Sequence, residues 1–219
     1  IVSHVVHYRN GGGIYAYEPY AREIEKWADL FSPVVIAAPC RDGRPSEGCA
    51  PIRRDNVIVA PQPQAGGDAF ADKLGLALAL PRMIYGLTRA MWRADAIHVR
   101  CPGNLGLLGS ILAPLFSRRL IAKYAGDWGG FRTEPWTFRA QRKILSSPWW
   151  RGPVTVYGEW PDQPAQIVPF FSASISAEEI QRARSIRDRE IGNPLHIMFA
   201  ERLTDRKSTR LNSSHANIS

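Results

Sequence analysis

The sequence has little cysteine and none of the spacings that make cysteine structural. Cys40, Cys49 and Cys101 are the only three in 219 residues, and no two form a C-x-x-C pair. This excludes a disulfide framework, a structural zinc site and a thioredoxin-like motif. A reducing compartment is the simplest expectation. Long apolar runs are missing too. Residues 74–80 stop at Pro81 and Arg82, and residues 105–116 fall short of the roughly 20 residues that span a bilayer. The opening Ile-Val-Ser-His-Val-Val-His has no basic lead and no cleavage pattern, so no secretory leader is expected. There is no initial Met, and a chain cut at its N-terminus is expected. No G-x-G-x-x-G and no Gly-Lys-Ser/Thr occurs, which disfavours a dinucleotide fingerprint and a Walker loop. No internal repeat is evident, and no His, Asp or Glu cluster has metal-site spacing.

What is present is an ordinary globular composition. The hydrophobic fraction is 45%, enough for a core, and the length suits one large domain or two small ones. The formal charge is +8. Residues 205–219 shift to small polar types without apolar period, and resemble the in-frame translation of a sequencing adapter. They are expected to be a non-native tail. Without Asp205, Arg206, Lys207 and Arg210 the count falls from 28 basic and 20 acidic residues to 25 and 19, a charge of +6.

The remaining pattern alternates strands and helices. Residues 2–7 form a β-branched run, followed at once by Asn10-Gly11-Gly12-Gly13. Residues 17–31 have helical spacing, with Tyr20, Ile24, Trp27, Leu30 and Phe31 on one face and Arg22, Glu23, Glu25 and Lys26 largely opposite. The opening unit thus reads strand, glycine loop, helix. Further strands are predicted over 33–39, 56–60, 95–99, 119–124, 154–157, 167–171 and 195–199. Helices are predicted over 69–94 with a break or kink at Pro81, then over 105–116, 134–146 and 177–189. Residues 40–51 read as a polar loop. The strands are continuous apolar runs, as for strands buried on both faces. The fold class is therefore α/β, with a doubly wound, mostly parallel sheet.

Ligands of such sheets sit beyond the carboxyl ends of the strands, so the loops there carry the candidate residues. Gly11, Gly12 and Gly13, between a strand and a helix, can hold an anionic or hydroxyl-rich ligand with backbone N–H groups. They also read as a flexible turn. Arg100 and Asn104 put a cation and an amide at a strand end just before a helix, where Arg can grip a phosphate or carboxylate. A surface Arg on a turn is the plain alternative. Cys101 beside them reads as buried and inert. Lys123, Asp127, Trp128 and Arg132 crowd the next such loop. An acid beside an indole can bind a sugar, and Asp127 can serve as general base. Equally, Asp127 can cap the turn with Trp128 in the core. His4, His7 and His98 read as core or rim residues. Arg139, Arg142, Lys143, Trp149 and Trp150, with Arg151, suit an anionic membrane surface. A solvated helix face ending in packed tryptophans explains them as well. There is no recognised nucleic-acid module.

The order of these elements, with Gly-Gly-Gly-Ile-Tyr, Asp-Ala-Ile-His-Val-Arg, Leu-Ile-Ala-Lys-Tyr-Ala-Gly-Asp-Trp, Val-Thr-Val-Tyr-Gly, Gln-Ile-Val-Pro-Phe and a final Pro-Leu-His-Ile-Met-Phe-Ala-Glu-Arg-Leu-Thr, resembles a family. It is similar to the Rossmann-like N-terminal domain of family 4-type glycosyltransferases of the GT-B fold. The last segment looks like the first strand of the second domain, with Glu201 where family members usually have Gly. The resemblance implies an acceptor-side domain over residues 1–176, an interdomain helix and the start of a donor-binding domain over 177–204, and the tail over 205–219. It implies transfer of a sugar from a nucleotide-sugar donor to a glycan or lipid-linked acceptor in cell-surface polysaccharide synthesis. No metal and no cofactor is implied beyond the donor substrate. The expected place is the cytoplasm, in peripheral contact with the inner membrane surface. Gly11 to Gly13 and Tyr15 match the family loop that faces the interdomain cleft. Where many relatives carry a His after the fifth strand this chain has Ala125, leaving Asp127 as catalytic candidate by proximity. The other readings are a non-catalytic α/β ligand-binding module and a sugar-nucleotide epimerase of related fold.

Overall fold

A computed structural model describes residues 1–64, 70–170 and 177–185. The chain divides into two units, Ile1–Ser174 and Ile175–Ser219. The first begins with an extended segment, residues 1–3. There follow β1 (His7–Asn10), β2 (Gly13–Tyr17), α1 (Glu18–Leu30), β3 (Val34–Asp42), β4 (Cys49–Pro51) and β5 (Val57–Gln62). Then come α2 (Phe70–Met91), β6 (Ile97–Cys101), α3 (Asn104–Phe116), β7 (Leu120–Tyr124), α4 (Trp136–Ser146), β8 (Val154–Val156) and β9 (Ile167–Pro169). The described part of the second unit is one helix, α5 (Ala177–Ser185), with Glu178 and Glu179 in its first turn and Arg182 and Arg184 in its last. That arrangement complements the helix dipole. The strand expected at 195–199, the first strand of a second domain and the tail over 205–219 lie outside the described residues.

The main sheet is parallel. β5 pairs with β3, and β6, β7, β8 and β9 pair in sequence. Residues 1–3 join these two groups, because Val2 bridges Ala37 of β3 on one side and Val99 of β6 on the other. The resulting order is β5, β3, residues 1–3, β6, β7, β8, β9. In order of appearance within this sheet that is the 3-2-1-4-5-6 arrangement of doubly wound folds, extended by one strand. The expected α/β class is what the structure has.

Each face is read off alternate residues. Ile97, Val99 and Cys101 of β6 enter one core with Met83, Leu87 and Met91 of α2, Leu105 and Ala113 of α3, and Leu145 of α4. The opposite core joins Tyr20, Ala21, Ile24 and Ala28 of α1 to Val34, Ile36 and Ala38 of β3. α3 is apolar almost all round, as a helix sandwiched between α2 and α4 must be. Pro81 lies inside α2, and the helix runs through it unbroken. An exposed proline forfeits one helix bond whose carbonyl water can satisfy.

Three expectations about the first fifty residues are corrected. The run over 2–7 is not one strand: residues 1–3 enter the main sheet, and the chain is re-aimed before β1. The glycines do not lead into a helix. Asn10 pairs with Gly13 across a two-residue turn whose Gly11 and Gly12 have φ of +56° and +79°. Both values suit a type I′ hairpin turn, which favours glycine at both positions. The loop expected over 40–51 is partly strand, since β3 extends to Asp42 to pair with β1, and β4 pairs with β2. This gives the parallel sheet an antiparallel flap, in the order β3, β1, β2, β4.

Gly152 enters β8 where a Cβ would stand 1.9 Å from the carbonyl oxygen of Leu120, whereas Gly75 in α2 faces open space. Gly152→Ala is expected to destabilise the fold by about 3 kcal/mol, through overpacking against immobile backbone. Gly75→Ala is expected to stabilise it by about 1 kcal/mol through helix propensity. Urea unfolding of both variants checks the pair, and equal effects of one sign would contradict the packing described.

Candidate functional site

The site follows from the strand order. Residues 1–3 send the chain over one face of the sheet through α1, and β6 sends it over the other through α3. The crevice between their carboxyl ends is the topological switch point, where ligands of open α/β sheets bind. His4 stands on one wall. Gly103 stands on the other, so close that a Cβ there would lie 3.2 Å from the His4 ring. The Gly103 N–H donates to Oε1 of buried Gln141 on α4 at 3.2 Å, which fixes the turn into α3. Asn104, half-buried, is the first residue of that helix.

The next loops close around this crevice. The Ala125 N–H donates to the Cys101 carbonyl at 2.7 Å, locking the loop after β7 to the loop after β6. Asp127 is exposed, and its Oδ1 accepts the Gly129 N–H at 2.9 Å. Trp128 is buried edge-on against Tyr124, ring centroids 5.1 Å apart, and its Nε1–H donates to Gln163 at 3.1 Å. Trp160 covers Gly129, and its own Nε1–H donates to the Tyr157 carbonyl at 2.9 Å. The two predicted loops after β6 and β7 are thus brought together with the loop after β8. Asp127 both caps its turn and offers its second oxygen to solvent. The Trp128 indole lies in the core of the loop, so it holds the loop's shape and does not present a face to a sugar. Arg132 is exposed on the same loop. The glycine turn belongs to the β1–β2 flap on the β3 side of the crevice, with Tyr15 half-buried opposite Tyr8.

Arg100 and Lys123 sit within the strands, directly opposite each other across the β6–β7 pair. Both point toward α1, where one carboxylate meets both. Glu23 Oε1 accepts from Arg100 at 2.6 Å and Oε2 accepts from Lys123 at 3.0 Å. The expected placement of Glu23 on the solvent side of α1 is therefore corrected. Its spacing from Tyr20 and Trp27 puts it on their face. Arg100 also lies 4.8 Å over the Tyr20 ring, and Lys123 lies 4.7 Å from the Phe170 ring centre. These aromatic faces hold the flanks of a buried cation pair. Burial by itself raises the Glu23 pKa. The Arg100 charge and the hydrogen bonds from both cations outweigh it and leave the group below its ordinary value. One acid against two bases leaves a net positive charge under the crevice.

Histidines complete this cluster. His4 is held below its ordinary value of 6.5 by desolvation and then by the Arg100 charge, so it is neutral at pH 7. His7 is fully buried edge-on to Tyr20, at 5.4 Å between rings, and burial pushes it down to about 4. His98 is buried against Trp27 at 4.9 Å and lies well below 6.5 from desolvation and neighbouring cations. His7 Nε2, His98 Nδ1 and the Tyr20 hydroxyl have no hydrogen-bond partner among the described residues. Sequence reading missed Glu23, Tyr20 and His4 as site residues. The signal for Glu23 was its 20, 23, 27 spacing; His4 had none, because only the fold sets it opposite Gly103.

Other predicted residues are placed elsewhere. The expected membrane segment is divided. Trp150 is buried, and Arg142 forms a two-pronged pair with Glu134, with Nη1 donating to one Glu134 oxygen at 2.7 Å and to the Tyr124 hydroxyl at 3.2 Å. Their cations and indole are therefore unavailable to a bilayer. Arg139, Lys143 and Trp149 are exposed. Burial pushes the Cys101 thiol up to about 12, which makes it inert as read. Among the described residues no group of three or more His, Cys, Asp or Glu side chains is placed to hold a metal ion. A cavity of about 1270 Å³ opens at the amino ends of the strands, lined by Trp27, Phe31, Tyr85, Arg89, His98 and Arg119. It lies at the edge opposite the crevice and away from the converging loops.

Two outcomes test this electrostatic arrangement. Glu23→Gln leaves two buried cations unpaired and is expected to cost about 3 kcal/mol at pH 7. Because the Glu23 pKa is depressed on folding, the difference is full above the ordinary carboxylate value of 4.5 and disappears as pH falls through the lower folded value. Denaturant titrations of both proteins across that range read it, and equal stability at pH 7 would refute the bridge. His7 acts in a separate window. Its folded value is lowered, so its contribution is complete above 6.5 and is lost between 6.5 and about 4. The loss amounts to about 3 kcal/mol. His7→Gln should flatten that part of the stability profile, and an unchanged slope would contradict it.

Compared with protein-family models, curated proteins and solved structures, the chain matches none, so the reading of the site rests on its geometry.

Proposed function

We propose that this chain is the acceptor-side domain of a GT-B glycosyltransferase, moving a sugar from a nucleotide-sugar to a glycan or lipid-linked acceptor. The observation that carries the reading is the crevice itself. It is the switch point, where His4 meets Gly103 at the turn into α3, with the exposed Asp127 on the next loop and a net cationic cluster of Arg100, Lys123 and Glu23 in the strands behind. Among the described residues no group of three or more His, Cys, Asp or Glu side chains is placed to hold a metal ion, and burial pushes the Cys101 thiol up. A hydroxyl-rich ligand suits an imidazole and an exposed carboxylate at this place, His4 and Asp127.

The chemistry assigned to these groups is simple. The acceptor hydroxyl oxygen bonds to the anomeric carbon as the bond from that carbon to the diphosphate oxygen breaks. The diphosphate leaves with the electron pair. The hydroxyl proton passes to a base at the crevice, a task assigned to His4 or Asp127. The buried cations act through the field they set over the crevice, since Glu23 already occupies their hydrogen bonds. His4 stands in for the histidine that relatives carry where this chain has Ala125. The donor diphosphate is assigned to a second domain beginning near Pro194.

The reading is tested with the protein extended through the coding sequence that follows Thr204. Offered a panel of UDP- and GDP-sugars, it is expected to release nucleoside diphosphate only when a glycan or lipid-linked acceptor is added. His4→Ala should lower that rate at least tenfold, the low end of what a positioned proton acceptor contributes. Residues 1–204 alone should release none. Turnover by residues 1–204, or an extended protein indifferent to His4→Ala and Asp127→Asn alike, would overturn it.

A further inference from the structure

The loop after β7 and the loop after β8 meet at an indole. Trp160, 37% exposed, lies over Gly129, where a Cβ would stand 2.7 Å from its ring and 3.4 Å from Oδ1 of Asp127. Any side chain at Gly129 would therefore collide with the indole and crowd the carboxylate. The bare glycine lets an aromatic ring and an exposed carboxylate stand beside one another with only peptide between them. The neighbouring Gly130 has φ of +78°, and a Cβ there would stand 2.5 Å from Nη2 of Arg142. This stretch of backbone is thus held against the Arg142–Glu134 pair at one glycine and covered by Trp160 at the other.

The two groups are fixed in place by their own loops. The Trp160 Nε1–H donates to the Tyr157 carbonyl at 2.9 Å, which sets the rotation of the ring. Trp128 ties the two loops together through Gln163 at 3.1 Å. Asp127 uses one oxygen to accept the Gly129 N–H at 2.9 Å and keeps the other for solvent. The charge around the indole is acidic, although the chain as a whole is basic. Residues 152–170 hold Glu159 and Asp162, both exposed, and no Lys or Arg. The guanidinium beside Gly130 is already committed to Glu134. A phosphate or carboxylate arriving at this ring would meet like charge from Asp127, Glu159 and Asp162. An uncharged ligand meets no such barrier.

We propose that Trp160, Gly129 and Asp127 form a saccharide platform that holds one uncharged pyranose unit of a glycan acceptor. A pyranose offers an apolar C–H face to the indole and hydroxyl donors to the carboxylate, and one ring spans both. Burial against the indole supplies affinity, and the carboxylate fixes which hydroxyls face it. In calling that unit the acceptor's, the inference rests on the transferase reading; the saccharide site itself rests on the geometry. It also reassigns the acid–indole pair expected at Asp127 and Trp128. Trp128 is buried, and the indole beside Asp127 is Trp160, brought from the next loop. Trp160 holds the acceptor and moves no proton, so its loss acts on KM.

The full chain is applied to an array of immobilised oligosaccharides built from neutral hexose, deoxyhexose and N-acetylhexosamine units, beside acidic ones, and the tightest binder is titrated. Binding of a neutral glycan is expected, little changed by raised salt. Trp160→Ala should weaken it about tenfold, and Trp160→Phe should restore most of the affinity. Gly129→Ala should weaken it as much while removing no polar or aromatic group, because the new Cβ displaces the indole. Trp92→Ala, at a ring 73% exposed beside Phe116 at the end of α3, should change nothing, whereas general aromatic adhesion would fall. Circular dichroism confirms that each variant is folded. In the protein extended beyond Thr204, Trp160→Ala should raise the acceptor KM about tenfold and leave kcat within about twofold. Failure of every neutral glycan to bind would overturn the proposal, as would binding indifferent to Trp160→Ala and Gly129→Ala alike, or binding of acidic glycans alone. Displacement of the glycan by UDP would make the platform a donor site and overturn it too. Nucleoside diphosphate release with an acceptor KM unmoved by Trp160→Ala would overturn it and keep the transferase reading. Trp160-dependent glycan binding with no release from the extended protein would keep the saccharide site and end the transferase reading.

Discussion

Four backbone hydrogen bonds made by residues 1–3 hold the main sheet together. Val2 donates to His98 and accepts from Arg100, while Ser3 donates to Ala37 and the Ile1 carbonyl accepts from Ala37, all at 2.8–3.0 Å. Those partners lie in the middle of β3 and β6, among the most buried backbone of the domain. Left unpaired, each such group would forfeit its hydration without compensation. The short extended segment therefore decides that β5–β3 and β6–β9 form one sheet. It also creates the site, because the switch point exists only where this segment and β6 leave the sheet toward opposite faces.

The cluster beneath that point illustrates how a parallel sheet carries charge in its interior. Arg100 and Lys123 are neighbours in register, an arrangement that repels unless something intervenes. Glu23 intervenes from α1, and aromatic rings cover both cations from the sides. The same helix sets Tyr20 against His7 and Trp27 against His98. α1 thus covers the sheet with polar and aromatic contacts along its length and an apolar layer toward β3. Desolvation keeps the histidines neutral, which limits the positive charge that Glu23 must offset.

Much of the architecture was legible in the sequence. The continuous apolar strands and their alternation with helices point to a doubly wound sheet without any knowledge of contacts. The loops after β6, β7 and β8 were located at strand ends and do converge, whereas the glycine loop and the loop from residue 40 are partly strand. Where local reading failed, long-range pairing was the cause. Asn10-Gly11-Gly12 does carry a type I′ turn signal, but the strands it joins are set by long-range pairing, β1 with the extension of β3 and β2 with β4. Pro81 argues for a break, but burial of Met83 and Leu87 keeps α2 continuous. Trp149 and Trp150 are identical in sequence terms, yet one is exposed and the other is 1% exposed.

The alternation of strands and helices determined by itself that the fold is α/β. No described helix is long and apolar enough to cross a membrane. Composition and periodicity suffice for such statements, because they concern each segment's own preference. Only the tertiary structure decided which charges are neutralised, which histidine faces the crevice and which tryptophans meet solvent. Those properties depend on residues far apart in the chain, as when Glu23 reaches Lys123, and no local pattern encodes such a meeting.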